Sequence, residues 1–487
     1  MQRSEGCGGA TPAMAMTRRD RIDDLLRFVD TQRMSRKYAP GWFEEVEATL
    51  HRKVSELERE LTADIMAGHD VDAVAIEIDG KAHRRVLRAE QEYMTTAGAV
   101  TVERWLYRDR DDDSAPSLSP MELRLGTIDF WTPQAAKTAV WVVSQIVPQK
   151  AAEMFERLGG MAPSKSSLDR VPKLVSERWE ARRQEYEAAL RDAIVIPDDA
   201  ATVAVSLDGV FAPINGGANP VAVRQAAAEK GTICKGPAGY REVGCATVSF
   251  CDAKGDLISA IRWARSPEPK KRTLKSTLEA DLLAVLRKRP DLTVVKLADG
   301  IDDNWSFLTN ELPAGEEALD FFHATEHLYL AVGATYGPST LEARHKFEEL
   351  RQILRDDKNG IARVIRAIDY MRKKHPNRIE IRRCAAYFRK HKRRMNYAAF
   401  LERGLPIGSG VVEAACKTLV TQRLKLSGMR WGRGAQAILT IRGWDQSERF
   451  DVAWALLAAE HQVEVHVLAN IIPFSKPEPK RPSKKAG

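Results

Sequence analysis

Between residues 202 and 323 the sequence alternates between strand and helix patterns, and this order constrains the fold more than any other feature. Strands are indicated by alternating apolar residues such as Val203, Val205 and Leu207, and helices by apolar residues spaced three and four apart. The predicted elements are, in order, strand (202–211), strand (241–252), turn (253–255), strand (256–266), helix (273–288), strand (292–300), helix (302–311) and strand (318–323).

Three meandering strands followed by alternating helices and strands are the order of a ribonuclease-H-like α/β core. Residues 324–405 show helical periodicity and no strand pattern, which predicts a helical insertion in that core. The chain has 487 residues, enough for about two or three domains. We predict a disordered leader (1–20), a helical N-terminal segment (21–80), a β-hairpin region (81–131), a helix-turn-helix-like DNA-binding domain (132–194), the first part of the core (195–329), a basic helical insertion (330–405), the C-terminal helices of the core (406–470) and a disordered basic tail (471–487).

Two patterns organise the region before residue 132. Residues 42–66 carry apolar side chains at steps of three and four, which predicts one long helix. That helix either packs on the rest of the chain or forms a dimerising coiled coil, since about three heptads are available. Further along, two β-rich runs within 84–109 flank Thr95-Thr96-Ala97-Gly98, which predicts a β-hairpin.

Residues 132–181 contain short helical patterns joined by a turn with glycine, the arrangement of a helix-turn-helix. The second helix of the pair is predicted to start at Ser164 and to present Lys165 and Arg170 to DNA. Pro172 lies inside that helix and removes one backbone donor, so an ordinary helical hairpin is the alternative.

Composition excludes several classes of protein. Hydrophobic residues make up 44% of the chain and charged residues 29%, which is typical of a soluble globular protein. No apolar stretch approaches the roughly 20 residues that cross a bilayer. The six cysteines form no C-x-x-C pair, which argues against a disulfide framework and a zinc ribbon. We therefore expect a cytoplasmic protein without a membrane partner.

Positive charge is concentrated in two segments, which matters more for nucleic-acid binding than the net charge of +8. Residues 371–394 hold eleven Lys or Arg against the single acid Glu380, with Tyr387 and Phe388 interleaved; a solvated face is the alternative to phosphate contact. A second basic run follows Glu413 and includes a tryptophan that could stack on an unpaired base. The predicted DNA-binding residues of the two segments are Arg372, Lys373, Lys374, Arg382, Arg383, Arg389, Lys390, Lys392, Arg393, Arg394, Lys417, Arg423, Lys425, Arg430 and Trp431.

Three acidic residues stand at positions suited to metal binding. Asp208 and Asp299 each close a β run and precede a glycine, which lets the chain turn without crowding a carboxylate at the sheet edge. Glu413 lies in the first turn of a helix for which Ser409 is the predicted N-cap, and the helix dipole there favours its ionised form. Each acid considered alone has a structural alternative: it could be a turn residue, a helix cap or a charge that interacts favourably with the helix dipole. Together they predict a shared site.

A cluster of three carboxylates is repulsive unless a cation neutralises it. Oxygen ligands select hard ions such as Mg²⁺, for which Mn²⁺ can substitute. Two such ions promote phosphoryl transfer by activating the attacking oxygen and stabilising the leaving one. Asp208, Asp299 and Glu413 are therefore predicted to be both the catalytic and the metal-binding residues of a site for two Mg²⁺ ions.

The segments around these acids resemble a known family. LDGV around Asp208, LADG around Asp299, DFFH at 320–323 and PIGSGVVEAACKTLVTQRLKLSGMRW at 406–431 resemble the DDE transposases of bacterial insertion sequences, closest to the ISKra-type family. The resemblance runs over about residues 80–470, and the last of these four blocks is its most specific part.

The resemblance implies roles for particular residues. Asp208, Asp299 and Glu413 would be the metal-binding triad of a ribonuclease-H-like core. Asp320 and His323 match an Asp-x-x-His element of related transposases, whose implied role is to support the site by placing the scissile phosphate or a DNA end. The alternative is a strand-end aspartate with a hydrogen-bonded core histidine.

The resemblance also implies a function. The protein would bind the terminal inverted repeats of its insertion sequence, cleave DNA by Mg²⁺-dependent hydrolysis and join the 3′-hydroxyl ends to double-stranded target DNA. Recognition of two ends implies a homodimer or larger assembly on the bacterial nucleoid. The alternatives are a metal-dependent, structure-selective nuclease that lacks strand transfer, and a non-catalytic DNA-binding regulator.

Overall fold

The computed structural model describes residues 18–36, 39–214, 225, 228–229, 231, 239–432 and 434–468. The predicted basic tail, and the predicted leader apart from its last three residues, lie outside these described residues. The chain divides into two units. The first consists of Met1–Thr138, Ala152–Ser164 and Ala458–Gly487, and the second of Ala139–Ala151 and Lys165–Leu457.

The first unit is built on an antiparallel sheet. Its strands are β1 (Ala75–Ile78), β2 (Lys81–Thr95), β3 (Gly98–Asp109) and β9 (Val465–Val467), in the order β3-β2-β1-β9. Its helices are α1 (Arg18–Met34), α2 (Trp42–Gly68) and α3 (Pro120–Leu125). β2 and β3 confirm the predicted hairpin, and Thr95 closes its turn by donating through Oγ1 to the carbonyl oxygen of Gly98 at 2.7 Å.

The last strand of this sheet comes from the far end of the chain. β9 pairs antiparallel with β1, and Val465 packs with Ile76 and Tyr107 in a buried cluster. The predicted end of the core at residue 470 is therefore too late, because the residues from Ala458 onward belong to the first unit. The alternation of valines in this short segment is the pattern of a strand, but nothing local specifies its partner.

The predicted long helix over 42–66 is confirmed as α2, and α1 packs against it. Its apolar stripe is not fully covered, since Leu50, Val54, Leu61 and Ile65 are exposed. An exposed stripe of this kind suits a second helix. The dimerising coiled coil therefore stays a prediction for this segment.

The second unit contains a mixed sheet. Its strands are β4 (Thr202–Ala212), β5 (Arg241–Cys251), β6 (Leu257–Arg265), β7 (Thr293–Ala298) and β8 (Glu316–Leu319), in the order β6-β5-β4-β7-β8. β5 pairs antiparallel with both β4 and β6, whereas β7 pairs parallel with both β4 and β8. The predicted mixed α/β fold is confirmed, and the alternating residues Val203, Val205 and Leu207 are buried in β4.

Helices precede and connect these strands. They are α4 (Pro133–Gln145), α5 (Pro148–Leu158), α6 (Lys165–Ala181), α7 (Arg183–Asp192), α8 (Arg272–Lys288) and α9 (Asp302–Asn310), with a 3₁₀ turn (Pro269–Lys271) before α8. α8 packs on β5 and β6 through a buried face that includes Leu274, Leu278 and Leu282 at helical spacing. The division between the two units falls within α4 and within α5.

The second helix of the predicted helix-turn-helix is α6, which begins at Lys165 and contains Pro172. Lys165 and Arg170 are exposed, so their predicted contact with DNA stays a prediction. The predicted boundary between this domain and the core at residue 194 is not observed, because α6 belongs to the second unit. The ring of Trp179 on α6 lies 4.5 Å from that of Trp444, and burial of two large aromatic rings joins α6 to the rest of the unit.

The last predicted strand, 318–323, is correct only in its first half. β8 ends at Leu319, and Phe321 begins the helix α10 (Phe321–Tyr336). Asp320 is the N-cap of that helix, and its Oδ1 accepts a hydrogen bond from the backbone N–H of His323 at 2.6 Å. An aspartate at this position stabilises the start of a helix, because its side chain accepts a hydrogen bond from an N–H of the first turn that has no partner within the helix.

The predicted helical insertion and the C-terminal helices are observed as helices. Those of the insertion are α11 (Leu341–Asp356), α12 (Gly360–Lys374), α13 (Ile379–His391) and α14 (Tyr397–Glu402), with a 3₁₀ turn (Lys392–Arg394) after α13. The C-terminal ones are α15 (Gly410–Ala415), a π-helical turn (Cys416–Thr421), α16 (Gln422–Leu424), α17 (Gly434–Gln446) and α18 (Phe450–His461). None of the described helices is long and apolar enough to span a membrane.

Candidate active site

Three aspartates stand side by side at one end of the parallel part of the sheet. Pairing between β4 and β7 ends two residues before Asp208 and Asp299, and pairing between β7 and β8 ends one residue before Asp299 and Asp320. Continuing these registers brings the three residues to the same level. The carboxyl ends of parallel strands share one edge of the sheet, which is where open α/β sheets bind their ligands.

Asp299 follows β7, and its carboxylate is held by the start of α9. Oδ1 accepts hydrogen bonds from the N–H of Ile301 at 3.1 Å and from Nδ2 of Asn304 at 3.5 Å. Asn304 also donates to the carbonyl oxygen of Leu207 at 3.2 Å, which ties α9 to β4. Burial raises the pKa of Asp299, and the negative charge of Asp208 raises it further. Asp208 and Asp299 therefore repel each other, as two carboxylates that share a site must.

Asp208 lies in β4 and is contacted from the C-terminal helices. Its Oδ1 accepts from the N–H of Gly209 at 2.7 Å, and its Oδ2 accepts from the thiol of Cys416 at 3.6 Å. Cys416 is buried, and it opens the π-helical turn that continues the helix of Glu413. π-helical turns are rare and frequently occur at functional sites. The thiol thus links Asp208 to the helix that carries Glu413.

Glu413 lies in the first turn of α15, as the sequence predicted. Ser409 does not cap the helix with its side chain; its Oγ donates instead to Oε1 of Glu413 at 3.0 Å. The N–H of Ser409 donates to Oδ2 of Asp320 at 2.5 Å. Because α15 packs on β4 and β5, Glu413 is held at the same end of the sheet as the aspartates.

Asp320 and His323 form an ion pair beside Glu413. Nδ1 of His323 lies 3.6 Å from Oδ1 of Asp320, whose side chain is buried. Burial opposes the ionisation of Asp320, but hydrogen bonds from His323 and Ser409 outweigh it and lower its pKa. The hydrogen bond with Asp320 raises the pKa of His323 to about 9. The ionised pair thus places one positive charge among several carboxylates at neutral pH.

Among the described residues, the compact group of potential ligand atoms contains Glu413 of the predicted triad but neither Asp208 nor Asp299. The ligand atoms of Asp320, His323 and Glu413 lie within 4.8 Å of one another. Asp299 lies near this group, since its negative charge contributes to the raised pKa of His323, and Asp208 lies near Asp299 and contacts Cys416. The sequence identified the three acids and the Asp-x-x-His element. It missed Asn304 and Cys416, which hold two of the acids in place and carry no motif of their own.

A test of the Asp320–His323 pair follows from the direction of the histidine's pKa shift. A folded-state pKa of about 9, above the ordinary histidine pKa of 6.5, means that folding favours protonated His323. The stability that the pair contributes is therefore complete below pH 6.5 and is lost as the pH rises through about 9. In metal-free buffer, His323→Gln is expected to lower the urea midpoint at pH 6 and to have little effect well above pH 9. An equal loss at both pH values would contradict the ion pair.

Cys416 offers a second test of the site. Cys416→Ala removes the thiol that donates to Asp208, and a hydrogen bond of this strength contributes ~1 kcal/mol. With the Mg²⁺-dependent DNA cleavage that the sequence predicts as the readout, we expect the rate to fall by about fivefold and the Mg²⁺ concentration for half-maximal rate to rise. Cys251→Ala is the matched control, since Cys251 is also buried but lies at the end of β5 that is farther from Asp208. Equal effects of the two substitutions would mean that only lost packing is being measured.

The predicted DNA-binding residues of 371–394 fall into two groups. Exposed side chains without an ion-pair partner among the described residues are Lys373, Lys374, Arg382, Arg383, Lys392 and Arg393. The others pair with carboxylates: Arg372 and Arg389 with Asp369, Lys390 with Asp302, and Arg394 with Glu317. The first group is the better candidate for phosphate contact, because the charges of the second are partly neutralised within the protein.

The two aromatic residues of this segment are not on the surface. Phe388 is fully buried, and the ring of Tyr387 stacks on that of His327 at 4.0 Å. A β-carbon at Gly300 would lie 2.3 Å from the Tyr387 ring, so this glycine is required for the ring to pack beside Asp299. The interpretation of these aromatic residues as part of a DNA-binding face is wrong, because the helix turns them inward.

Two of the predicted DNA contacts near Glu413 are structural. Arg423 is 1% exposed, and its Nε and Nη2 donate to the carbonyl oxygen of Val143 at 3.3 and 3.1 Å. Its guanidinium lies 4.9 Å from the centre of the Trp431 ring, and the indole N–H of Trp431 donates to the carbonyl of Leu424 at 3.0 Å. The prediction that Arg423 contacts DNA is therefore contradicted, whereas Lys417, Lys425 and Arg430 are exposed.

The exposed basic residues predict a salt dependence of DNA binding. Each phosphate contact contributes about −0.9 to the slope of log affinity against log salt concentration. Replacing Arg382 and Arg393 by alanine is expected to reduce the slope by about 1.8 in total. Arg389→Ala should change it less, because this side chain pairs with Asp369. Titrations of labelled duplex at several salt concentrations would measure the slopes, and identical slopes for all variants would show that the segment is only solvated surface.

The arrangement as a whole gathers oxygen donors and one cationic side chain at one end of the sheet. Carboxylates from β4, β7 and α15 supply oxygen donors, and His323 supplies a positive charge beside them. No protein-family model matches the chain, and no curated protein matches it.

Proposed function

We propose that this protein is a DDE-type DNA transposase, a polynucleotidyl transferase built on a ribonuclease-H-like core. The strand order β6-β5-β4-β7-β8, with two antiparallel pairings followed by two parallel ones, supports that core. The helices α11 to α14 fit the predicted insertion, since they lie in the chain between Asp320 and Glu413.

The observation that carries the proposal is that acids from separate segments meet at one end of the sheet. Asp208 and Asp299 come from neighbouring parallel strands and interact through their charges. Glu413 comes more than a hundred residues later and reaches the same place because Cys416 contacts Asp208 and Ser409 contacts Asp320. Repulsion among half-buried carboxylates costs free energy, so a group of them suits a site that binds cations.

The donors fit Mg²⁺, or Mn²⁺ as its substitute. Asp208, Asp299 and Glu413 offer only carboxylate oxygens, which hard divalent ions prefer. Asp320 is less suited as a ligand, since both of its oxygens accept from backbone N–H groups and its charge is paired with that of His323. The triad would hold two Mg²⁺ ions, whose chemistry is to activate an attacking oxygen and to stabilise the leaving one.

The remaining residues of the site would position the substrate. His323 is half-exposed and cationic, and it would hold a non-bridging oxygen of the scissile phosphate. Asn304 and Cys416 would keep Asp299 and Asp208 oriented during the reaction. Water would displace one strand in line to leave a 3′-hydroxyl, and that hydroxyl would then attack a phosphodiester of the target, so that each step forms one P–O bond and breaks one.

The DNA would be bound by exposed cations outside the site. Lys165 and Arg170 on α6 and the unpaired basic residues of 371–394 would contact the terminal inverted repeats and the target duplex. A homodimer or larger assembly would hold two ends at once, and the exposed stripe of α2 is a candidate for its interface. Such a protein would act in the cytoplasm, on the nucleoid.

A strand-joining assay tests the proposal. The full chain is incubated with labelled DNA carrying the repeats that flank its gene, a supercoiled target plasmid and Mg²⁺, with EDTA as the control. We expect label to appear in the plasmid only when the divalent ion is present. Cleavage without joining would favour the structure-selective nuclease. Binding without cleavage, even with Mn²⁺, would favour the regulator.

A further inference from the structure

The helix α10 carries an exposed apolar face next to the candidate active site. Its inner side is buried through residues such as Phe321, Ala324 and Leu328. On its outer side Phe322, Tyr329 and Leu330 are 53, 51 and 56% exposed. Several large apolar side chains exposed to solvent along one face of a helix are typical of a surface that binds a partner or ligand. We call these three residues the α10 face.

The α10 face begins at the site itself. Phe322 lies between Asp320 and His323 in the sequence, and a β-carbon at Gly408 would lie 3.1 Å from its ring. The N–H of Phe321 donates to the carbonyl oxygen of Ile407 at 3.0 Å, so the start of α10 is fixed to the loop that leads to Glu413. A strand of substrate leaving the carboxylate cluster would meet the Phe322 ring first.

The other end of the α10 face opens into a groove of about 340 Å³. Tyr329 and Leu330 line it together with Arg344 and Arg378. The Tyr329 ring is held edge-on against Phe347, with centroids 5.3 Å apart and planes at 85°. Both arginines are exposed, and neither has an ion-pair partner among the described residues. The groove thus combines a fixed aromatic ring with two guanidinium groups that form no ion pair among the described residues, and Glu380 adds one carboxylate to its lining.

Aromatic rings and unpaired arginines together suit one kind of occupant. Bases of a single strand stack on aromatic side chains, while the backbone phosphates pair with cations. A duplex cannot use these rings, because its bases are already stacked on one another and their faces are covered. We propose that the α10 face binds an unpaired stretch of DNA next to the scissile phosphate, with bases on Phe322 and Tyr329 and phosphates on Arg344 and Arg378. This inference rests on the proposed function and adds that the substrate is opened, with unpaired bases, where it leaves the site.

The test measures binding rather than cleavage. The full chain is titrated into a fluorescein-labelled oligothymidine and, separately, into a labelled duplex, in EDTA so that no reaction occurs. Phe322→Ala and Tyr329→Ala are each expected to weaken single-strand binding by about 5- to 150-fold. Phe322→Trp and Tyr329→Phe keep a ring and should bind as the parent does. Duplex affinity should change little in any of these variants.

Tyr370→Ala is the matched control, because Tyr370 is an exposed tyrosine of α12 that does not line the groove. Unchanged oligothymidine binding by the Phe322→Ala/Tyr329→Ala double variant would overturn the inference, as would an equal loss for duplex. A parent dimer that the double variant dissociates, with single-strand affinity intact, would instead assign the face to a second copy of the chain. A different result is that the parent fails the strand-joining assay while the two alanine variants still lose single-strand binding. That result would support the α10 face as a DNA-binding surface and would reject only the proposal that the protein is a transposase.

Discussion

Replacing Asp299 by asparagine is expected to lower the rate of Mg²⁺-dependent DNA cleavage by at least about a thousandfold, ~4 kcal/mol of barrier. The amide keeps the size of the side chain and can still accept from the N–H of Ile301, so the fold should persist. It lacks the charge that a cation needs. Asp208→Asn and Glu413→Gln should have effects of the same order, since the three acids would act as one unit. Single-turnover cleavage and gel-shift binding, measured on the same preparations, separate catalysis from affinity.

Thermal stability gives this prediction an independent readout. The pKa of Asp299 is raised by burial and by Asp208, so its ionised form is unfavourable without a cation. Mg²⁺ should therefore raise the melting temperature of the parent, while Asp299→Asn should show no such rise and should match or exceed the metal-free parent. Asp256→Asn is the control, an exposed aspartate at the turn between β5 and β6. An Asp299→Asn variant that cleaves at the parental rate would remove this residue from the site.

Replacing Asp320 by alanine is expected to have the largest effect on folding. Its buried carboxylate accepts from the N–H groups of His323 and Ser409 and pairs with the imidazole of His323. Loss of the N-cap costs about 1 kcal/mol, and each donor left unsatisfied adds about 1–3 kcal/mol. We expect the free energy of unfolding to fall by about 3 kcal/mol, as measured by urea denaturation.

The pH dependence of this loss has a defined sign. Hydrogen bonds hold the pKa of Asp320 below the ordinary aspartate value of 3.8. The stability that this carboxylate contributes is therefore complete above pH 3.8 and is lost as the pH falls through the lower folded-state pKa. The difference between Asp320→Ala and the parent should therefore narrow in acid. Asp303→Ala is the control, because Asp303 is exposed at the start of α9 and forms only a surface ion pair with Lys275. A loss no larger than that of Asp303→Ala would mean that Asp320 does not hold α10 in place.

Much of the second unit's sheet could be predicted from the sequence, because the patterns that specify its strands and turns involve only residues close together in the chain. The alternation of Val203, Val205 and Leu207 indicates a strand, which the sheet buries on both faces, and the turn at Ala253-Lys254-Gly255 joins two strands at the predicted place. The glycine after each aspartate allowed Asp208 and Asp299 to be recognised as strand-end acids. These signals need only neighbouring residues.

Other features depend on contacts that the sequence does not reveal. ALDFFH has a strand's composition, and only the hydrogen bond from His323 to the Asp320 side chain shows that a helix begins there. The charge of Arg423 suggests a surface, but a carbonyl almost three hundred residues earlier in the chain takes its hydrogen bonds. The contact between Cys416 and Asp208 spans 208 residues, so no spacing rule could have found it.

The wide turn that follows α15 has a consequence for how this segment can vary. A π-helical turn holds one more residue than an α-helical turn would, and each residue rotates a helix by about 100°. Cys416–Thr421 therefore sets the angle between Glu413 on one side and the buried guanidinium of Arg423 on the other. Deleting one residue here would restore regular winding but would point one of these two side chains away from its partner. The number of residues between Glu413 and Arg423 is consequently constrained as strongly as their identities. Homologous chains that keep both side chains should keep the extra residue between them.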